Sequence, residues 1–167
     1  DVYKRQPVHD TLDLSEIQTG IASGLSRVAV ERLDLVGFDA CLMATYEVAA
    51  AITGLADYLL ASEELEPGHG WDYNALAVLS GNSDITAKDL GSAIADGFQA
   101  QAEAYDTDES ITLSVLDLTV FPEFQNAIGD LLSPLLSDLT PAAPSVSRAL
   151  KGASRFASSP NPAQDAH

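Results

Sequence analysis

Cysteine is almost missing from this chain: Cys41 is the single one in 167 residues. One thiol rules out an internal disulfide and leaves the redox compartment unreadable from cysteine usage. With only three scattered histidines, His9, His69 and His167, the sequence also lacks the ligand spacing of a zinc site. Basic residues are scarce too. Eight Lys and Arg stand against 25 Asp and Glu, for a formal net charge of -17. Nucleic acid is excluded as a partner, because its phosphates need cationic side chains to neutralise them. An anionic membrane surface is disfavoured for the same reason. No apolar run reaches the ~20 residues of a membrane-spanning helix. The acidity is compatible with a cationic substrate, with a salt-rich milieu, or with solubility alone.

What is present suits one folded domain, or most of one. The chain is 46% hydrophobic, enough to bury a core. Internal repeats and low-complexity tracts are absent. Ile17, Ile21, Leu25 and Val28 recur at helical spacing and predict a helix over 15–31 facing inward. Residues 33–38 read as a strand, and their continuous apolarity predicts a central place in the sheet. A helix rich in Ala is expected over 42–53, with Tyr46 and Ile52 inward. A second strand is expected over 58–61, then a turn-rich loop over 65–71 and a short helix to about residue 79. Thr86, with Asp89 three residues on, opens a helix to about residue 105 that turns Leu90, Ile94 and Phe98 inward. A third strand over 111–117 and a helix over 122–136 follow. Thr140-Pro141-Ala142-Ala143-Pro144 is expected to break that helix before another. Strands alternating with helices predict an α/β fold with a largely parallel sheet.

The lone thiol stands where such folds place their chemistry. An apolar strand, then Asp39-Ala40-Cys41, then an apolar helix puts Cys41 at the carboxyl end of a strand, where open α/β sheets bind ligands. A thiol becomes a strong nucleophile once ionised, and a helix N-terminus beside it favours that state. By itself a lone cysteine reads as a small buried hydrophobe, and Asp39 as a turn residue or helix cap.

Phe38-Asp39-Ala40-Cys41-Leu42-Met43, with Glu47 one turn on, resembles the catalytic segment of the clostripain-related cysteine peptidases. In the same order that family shows a strand ending in Ser-Glu-Glu and then Pro-Gly-x-Gly-Trp-x-Tyr, here Ser62-Glu63-Glu64 and Pro67-Gly68-His69-Gly70-Trp71-Asp72-Tyr73. The segments 10–17 and 113–118 resemble the helix start before the cysteine strand and the next core strand, so the likeness covers about 10–118. It implies a caspase-like three-layer αβα sandwich around a mostly parallel sheet. It also implies a cysteine endopeptidase that cleaves proteins or peptides after Arg or Lys. Cys41 would be the nucleophile that forms the acyl-enzyme. Asp39, Ser62, Glu63, Glu64 and Trp71 would bind substrate, with Asp39 an anionic wall for the basic side chain and the loop 62–71 the rest of the pocket. Which of Glu63, Glu64 or Glu66 joins Asp39 stays open. The resemblance implies no cofactor. Calcium is left open, and no ligand cluster in the sequence reads on it. An exported or cell-envelope bacterial parent is compatible with the likeness, while the compartment and oligomeric state are not legible in the residues.

The family's general base is a histidine in a His-Gly-Gly type turn, and the sequence has no such turn. It is expected before Asp10, in a part of the parent outside this chain, so the chain alone is expected to be inactive. His9 lacks the glycines and preceding strand, and His69 falls at the variable position of the Pro-Gly-x-Gly-Trp loop. Asp1-Val2-Tyr3-Lys4-Arg5-Gln6 matches a translated transposon-end sequencing adapter. The chain is accordingly expected to be a metagenomic fragment, truncated at both ends. Residues 1–6 would be an adapter scar, 7–139 a partial peptidase core, and 140–167 an incomplete, Pro-containing helical segment. The rival from another class is a non-catalytic binding or regulatory domain on the same fold. A carboxylate hydrolase built on Glu63 and Glu64 is disfavoured, because adjacent strand residues point to opposite faces.

Overall fold

The computed structural model describes residues 12–82 and 84–157, so the hexapeptide 1–6, His9 and His167 lie outside the described residues. Helix α1, Leu14–Val28, starts at a reciprocal cap: Asp13 accepts the backbone N–H of Glu16 at 2.9 Å, and Glu16 accepts that of Asp13 at 3.0 Å. It ends where Ala29 turns left-handed, which leaves Val28 at the end of the helix and exposed rather than inward. Strand β1 is Leu33–Gly37, helix α2 is Tyr46–Ile52 and strand β2 is Ala56–Ala61. A 3-10 turn, Tyr73–Ala77, runs into the short helix α3, Val78–Gly81. Helix α4, Ala87–Ala104, is capped by Thr86, whose hydroxyl oxygen accepts from the backbone of Asp89. Strand β3, Ser114–Asp117, and helices α5, Phe121–Ser137, and α6, Leu139–Gly152, complete the order.

The strands lie in the order β1-β2-β3. β1 and β2 are parallel, with Leu35 opposite Tyr58. β2 and β3 are antiparallel, with Ser114 opposite Ala61, so β3 departs from the parallel direction that strand–helix alternation suggests. The reason is the number of helical passes. The 3-10 turn and α3 carry the chain back to the amino ends of the strands, where residues 84–87 and Leu90 share a cleft with Asp34 and Asp57. α4 then returns it to the carboxyl edge, where His69 of the β2 loop bonds Thr107 just past the helix. A chain that re-enters the sheet from that edge can only run antiparallel. β2, not β1, is the central strand among the described residues. The apolarity of β1 reports cover on both faces instead: Val36 packs with one cluster and Leu35 with the other.

Strand alternation sorts the core into two layers. On one face Leu59 and Ala61 meet Val48, Ala49 and Ile52 of α2 and Phe121 of α5, with Ile17 and Ile21 of α1 beside them. On the other, Leu60 meets Ile94 and Phe98 of α4 and the indole of Trp71. This is an α/β fold with helices on both faces of the sheet. The break between the last two helices falls at Asp138, not within 140–144. Pro141 lies in the first turn of α6, where a backbone N–H has no intrahelical acceptor to lose. No helix among the described residues is long and apolar enough to cross a membrane.

Candidate active site

The carboxyl ends of β1 and β2 project two loops that lie side by side. After β1, Asp39-Ala40-Cys41 bends sharply, and Leu42 takes a left-handed backbone with φ 61°. A leucine held there is strained by ~1–3 kcal/mol, a cost the surrounding bonds must offset. Those bonds come from the β2 loop: Leu42 N–H donates to Glu64 O at 3.2 Å, and Ala44 N–H to Ser62 O at 2.9 Å. The backbone N–H of Glu66 donates to Cys41 Sγ at 3.2 Å. Cys41 itself is exposed. The expected helix over 42–53 begins only at Tyr46, capped by Thr45. The sideways bonds of Leu42 and Ala44 hold the residues before Tyr46 out of helical geometry. The thiol therefore does not sit in the first turn of α2, and the helix dipole is not what acts on it. Tyr46, expected inward, is exposed and rests on Phe121 at 5.4 Å between ring centroids.

The second loop closes over Asp39. Trp71 N–H donates to Asp39 Oδ2 at 3.2 Å and the Tyr73 hydroxyl to the same oxygen at 2.8 Å. Gly70 has φ +67°, and a Cβ there would lie 2.8 Å from Asp39 Oδ2, so both the turn and the close approach require glycine. Trp71 anchors the loop. Its buried ring lies against Gly37, where a Cβ would stand 3.0 Å from it. Its indole Nε1–H donates to Glu66 Oε1 at 3.2 Å. The other oxygen, Glu66 Oε2, is buried with no hydrogen-bond partner. Burial, and then the neighbouring Asp39 carboxyl, pushes the Glu66 carboxyl up to about 7. The hydrogen bond to Asp39 likewise raises the Tyr73 hydroxyl above its ordinary value. Between the loops lies a cleft of about 430 Å³ lined by residues 39–41 and 66–70.

Of the residues singled out from sequence, Cys41 and Asp39 line this cleft, whereas Ser62, Glu63, Glu64 and Trp71 do not. Ser62 is fully buried. Its hydroxyl donates to Glu64 O at 2.9 Å and lies 3.0 Å from the Thr112 hydroxyl. Thr112 in turn accepts the backbone N–H groups of Glu63 and Glu64, so the pair fixes the turn after β2. Glu63 accepts the Ser114 hydroxyl at 2.7 Å, and Glu64 accepts the backbone N–H groups of Leu65 and Ala157. Trp71 supports the cleft from behind. Of the acids left open, Glu66 is the one that lines the cleft with Asp39. The available signal was its place inside the loop, since Glu63 and Glu64 directly follow β2 and are held by the β3 side of the sheet. His69 is at the rim, but its ring is occupied. Nδ1 lies 2.7 Å from Gly70 O, Nε2 lies 2.9 Å from the Thr107 hydroxyl, and the ring stacks on Tyr105. Thr112, Thr107 and Gln101, which bonds Gly70 O at 2.8 Å, were not singled out, because their roles arise only from tertiary contact. Among the described residues no group of three or more His, Cys, Asp or Glu could hold a metal ion.

The model of the clostripain family matches residues 3–158. No curated protein matches the sequence. Among solved structures, a clostripain from Bacteroides thetaiotaomicron in complex with the peptide inhibitor BTN-VLTK-AOMK is similar at 24% identity. It aligns with 66% of this chain and 45% of its own, with a TM-score of 0.53. A B. fragilis cysteine protease aligns at 21% identity over 70% of this chain and 47% of its own, with a TM-score of 0.54. A secreted C11 cysteine protease from B. thetaiotaomicron, "iotapain", aligns at 20% identity over 79% of this chain and 38% of its own, with a TM-score of 0.61. The chain thus spans less than half the length of each of these structures. At such identities the likeness shows the fold, the caspase-like α/β sandwich of these proteases. The family match takes in both loops and the cleft between them, and the chain belongs to the clostripain family.

Proposed function

We propose that this chain carries the nucleophile and the specificity pocket of a cysteine endopeptidase that cleaves proteins or peptides after Arg or Lys. One observation carries the reading: Cys41, Asp39 and Glu66, the thiol and the two acids, line a single cleft. A basic side chain seated against the two acids brings the carbonyl that follows it to the sulfur. The thiolate attacks that carbonyl, the amine leaves with a proton, and water hydrolyses the resulting acyl-enzyme. A guanidinium or ammonium gains charge-assisted hydrogen bonds that a neutral side chain does not. The peptide part of the inhibitor bound by the B. thetaiotaomicron clostripain reads VLTK, ending in lysine, which agrees with this preference.

The general base in this reading is a histidine outside the described residues. Among the described residues His69 is the sole histidine, and its ring nitrogens are engaged by Gly70, Gln101 and Thr107. A thiol with no base to take its proton and deliver it to the amine turns over peptide bonds at trace level at most. The test is labelling of the 167-residue chain with a peptidyl acyloxymethyl ketone ending in Lys, read by mass spectrometry. Cys41 is the expected adduct, formed faster than with the norleucine analogue and absent in Cys41→Ala. Equal rates for the two reagents would remove the basic specificity and favour a binding domain with an incidental thiol.

A further inference from the structure

We propose that Asp39 and Glu66 hold one proton between them while the cleft is empty, and that a guanidinium or ammonium entering the cleft displaces that proton to solvent. The inference rests on the basic-residue pocket proposed above and adds proton linkage to it.

The hydrogen-bond inventory of the pair comes first. Trp71 spends its backbone N–H on Asp39 Oδ2 and its indole N–H on Glu66 Oε1. The Tyr73 hydroxyl goes to Asp39 Oδ2. Glu66 Oε2 is left buried with no partner. As an ionised oxygen it would be a desolvated acceptor without a donor, next to a second carboxylate. As a protonated one it becomes a donor, and Asp39 is the acceptor beside it. One proton satisfies the orphaned oxygen and removes the like-charge contact.

Among the described residues, the groups that act on Glu66 supply no counter-charge. From the first loop it faces Asp39, and its backbone meets the thiol of Cys41. From its own loop it faces Trp71 and, more weakly, the Tyr73 hydroxyl. His69 lines the same cleft, with its ring nitrogens turned to Gly70, Gln101 and Thr107. The groups that set the ionisation of Glu66 are burial, Asp39 and Trp71, and none is a cation. A ligand cation would be the first beside these groups. When it enters, the stabilisation it gives a second negative charge exceeds what the shared proton gave. The proton leaves for water, and the pair goes from one negative charge to two beside one positive charge.

The probe is agmatine, a small guanidinium without a scissile bond, titrated into the 167-residue chain. With Glu66 titrating at about 7 in the empty cleft and well below that when occupied, agmatine should bind about tenfold more weakly at pH 6 than at pH 8. Calorimetry at pH 6 in buffers of different ionisation enthalpy should report about one proton released per agmatine bound. The carboxyl carbon resonance of Glu66 should titrate near neutrality in the empty chain and move to lower pH on adding agmatine. Glu66→Gln, which keeps an acceptor for Trp71 and offers an N–H to Asp39, should still bind agmatine but lose the pH slope and the proton release. A Glu66 midpoint in the ordinary carboxylate range in the empty chain overturns the proposal. So does an unchanged slope in the Gln variant, or agmatine that does not bind between pH 6 and 8. Failure of the substrate reading shows separately, as equal labelling of Cys41 by the Lys and norleucine ketones.

Discussion

The backbone N–H of Glu66 points at the sulfur of Cys41 from 3.2 Å, while the carboxyl of the same residue neighbours that of Asp39 at the cleft. One residue therefore touches the thiol with its main chain and the proposed cation pocket with its side chain. The main-chain contact survives substitution of the side chain, so variants at Glu66 separate pocket chemistry from thiol geometry.

Glu66→Gln is expected to stabilise the fold at high pH. The carboxyl is raised from 4.5 to about 7 in the folded chain. Between those values the folded state holds a proton that the unfolded state has released. The stability this contributes is complete below about 4.5, falls as pH rises, and is lost above about 7. Glutamine has no proton to lose. Relative to the parent chain the variant should gain about 1–2 kcal/mol between pH 5 and pH 8, after discounting for partial exposure of the site. Urea unfolding at the two pH values measures it. A difference that does not grow with pH would refute it.

Gly70→Ala should damage the pocket before the core. The new methyl would stand 2.8 Å from Asp39 Oδ2, on a backbone at φ +67°. The expected cost is about 1–3 kcal/mol in stability. Asp39 should be displaced, with loss of the rate advantage of a Lys-directed ketone over its norleucine analogue. A variant that melts lower yet keeps full selectivity would show that Asp39 tolerates the shift.

Much of this arrangement was legible in the sequence because it rests on local rules. Ile17 and Ile21, and again Leu90, Ile94 and Phe98, sit at helical spacing and do pack on the sheet, and Leu25 is buried as expected. Two apolar strands, each followed by a loop motif, predicted that Cys41 and the end of β2 would share one edge. They do so because β1 and β2 are parallel. What failed depended on the path between elements. The direction of β3 follows from two helical passes where alternation suggested one. The late start of α2 follows from bonds of Leu42 and Ala44 to residues of the β2 loop. Ser62 looked like a pocket residue because it belongs to a motif. Its motif role is structural in this fold, through a partner, Thr112, fifty residues away.

Ser62→Ala should therefore act on stability and not on selectivity. Its hydroxyl oxygen accepts Glu64 N–H at 3.0 Å, its proton goes to Glu64 O, and Thr112 loses a neighbour if it is removed. A fully buried network losing one member costs about 1–3 kcal/mol. Thermal unfolding should report that loss. The ratio of Cys41 labelling by Lys and norleucine ketones should stay within about twofold, whereas a collapse of the ratio with unchanged melting would return Ser62 to the pocket.

Asp39→Asn gives the sharpest test of specificity, because the structure leaves the loop intact around it. Asparagine retains a side-chain oxygen to accept from Trp71 N–H and the Tyr73 hydroxyl, the two bonds that hold the second loop over the first. What it loses is the charge facing the incoming cation. A charge-assisted hydrogen bond is worth on the order of 1.5–3 kcal/mol, or roughly tenfold to a hundredfold in rate. In a form of the protein that turns over peptides, kcat/KM for Arg substrates should fall by about that factor. Alkylation of Cys41 by iodoacetamide, which has no cation to seat, should change far less. The Gln variant at Glu66 should add little to the Asn variant at pH 6, where the buried Glu66 carboxyl still holds a proton and has no charge to lose. It should add more at pH 8, where Glu66 carries the one charge left to the substrate. Equal losses of Arg turnover and of alkylation in Asp39→Asn would mean that the carboxylate holds the bend at Cys41, and the pocket would then have to be sought elsewhere on the cleft.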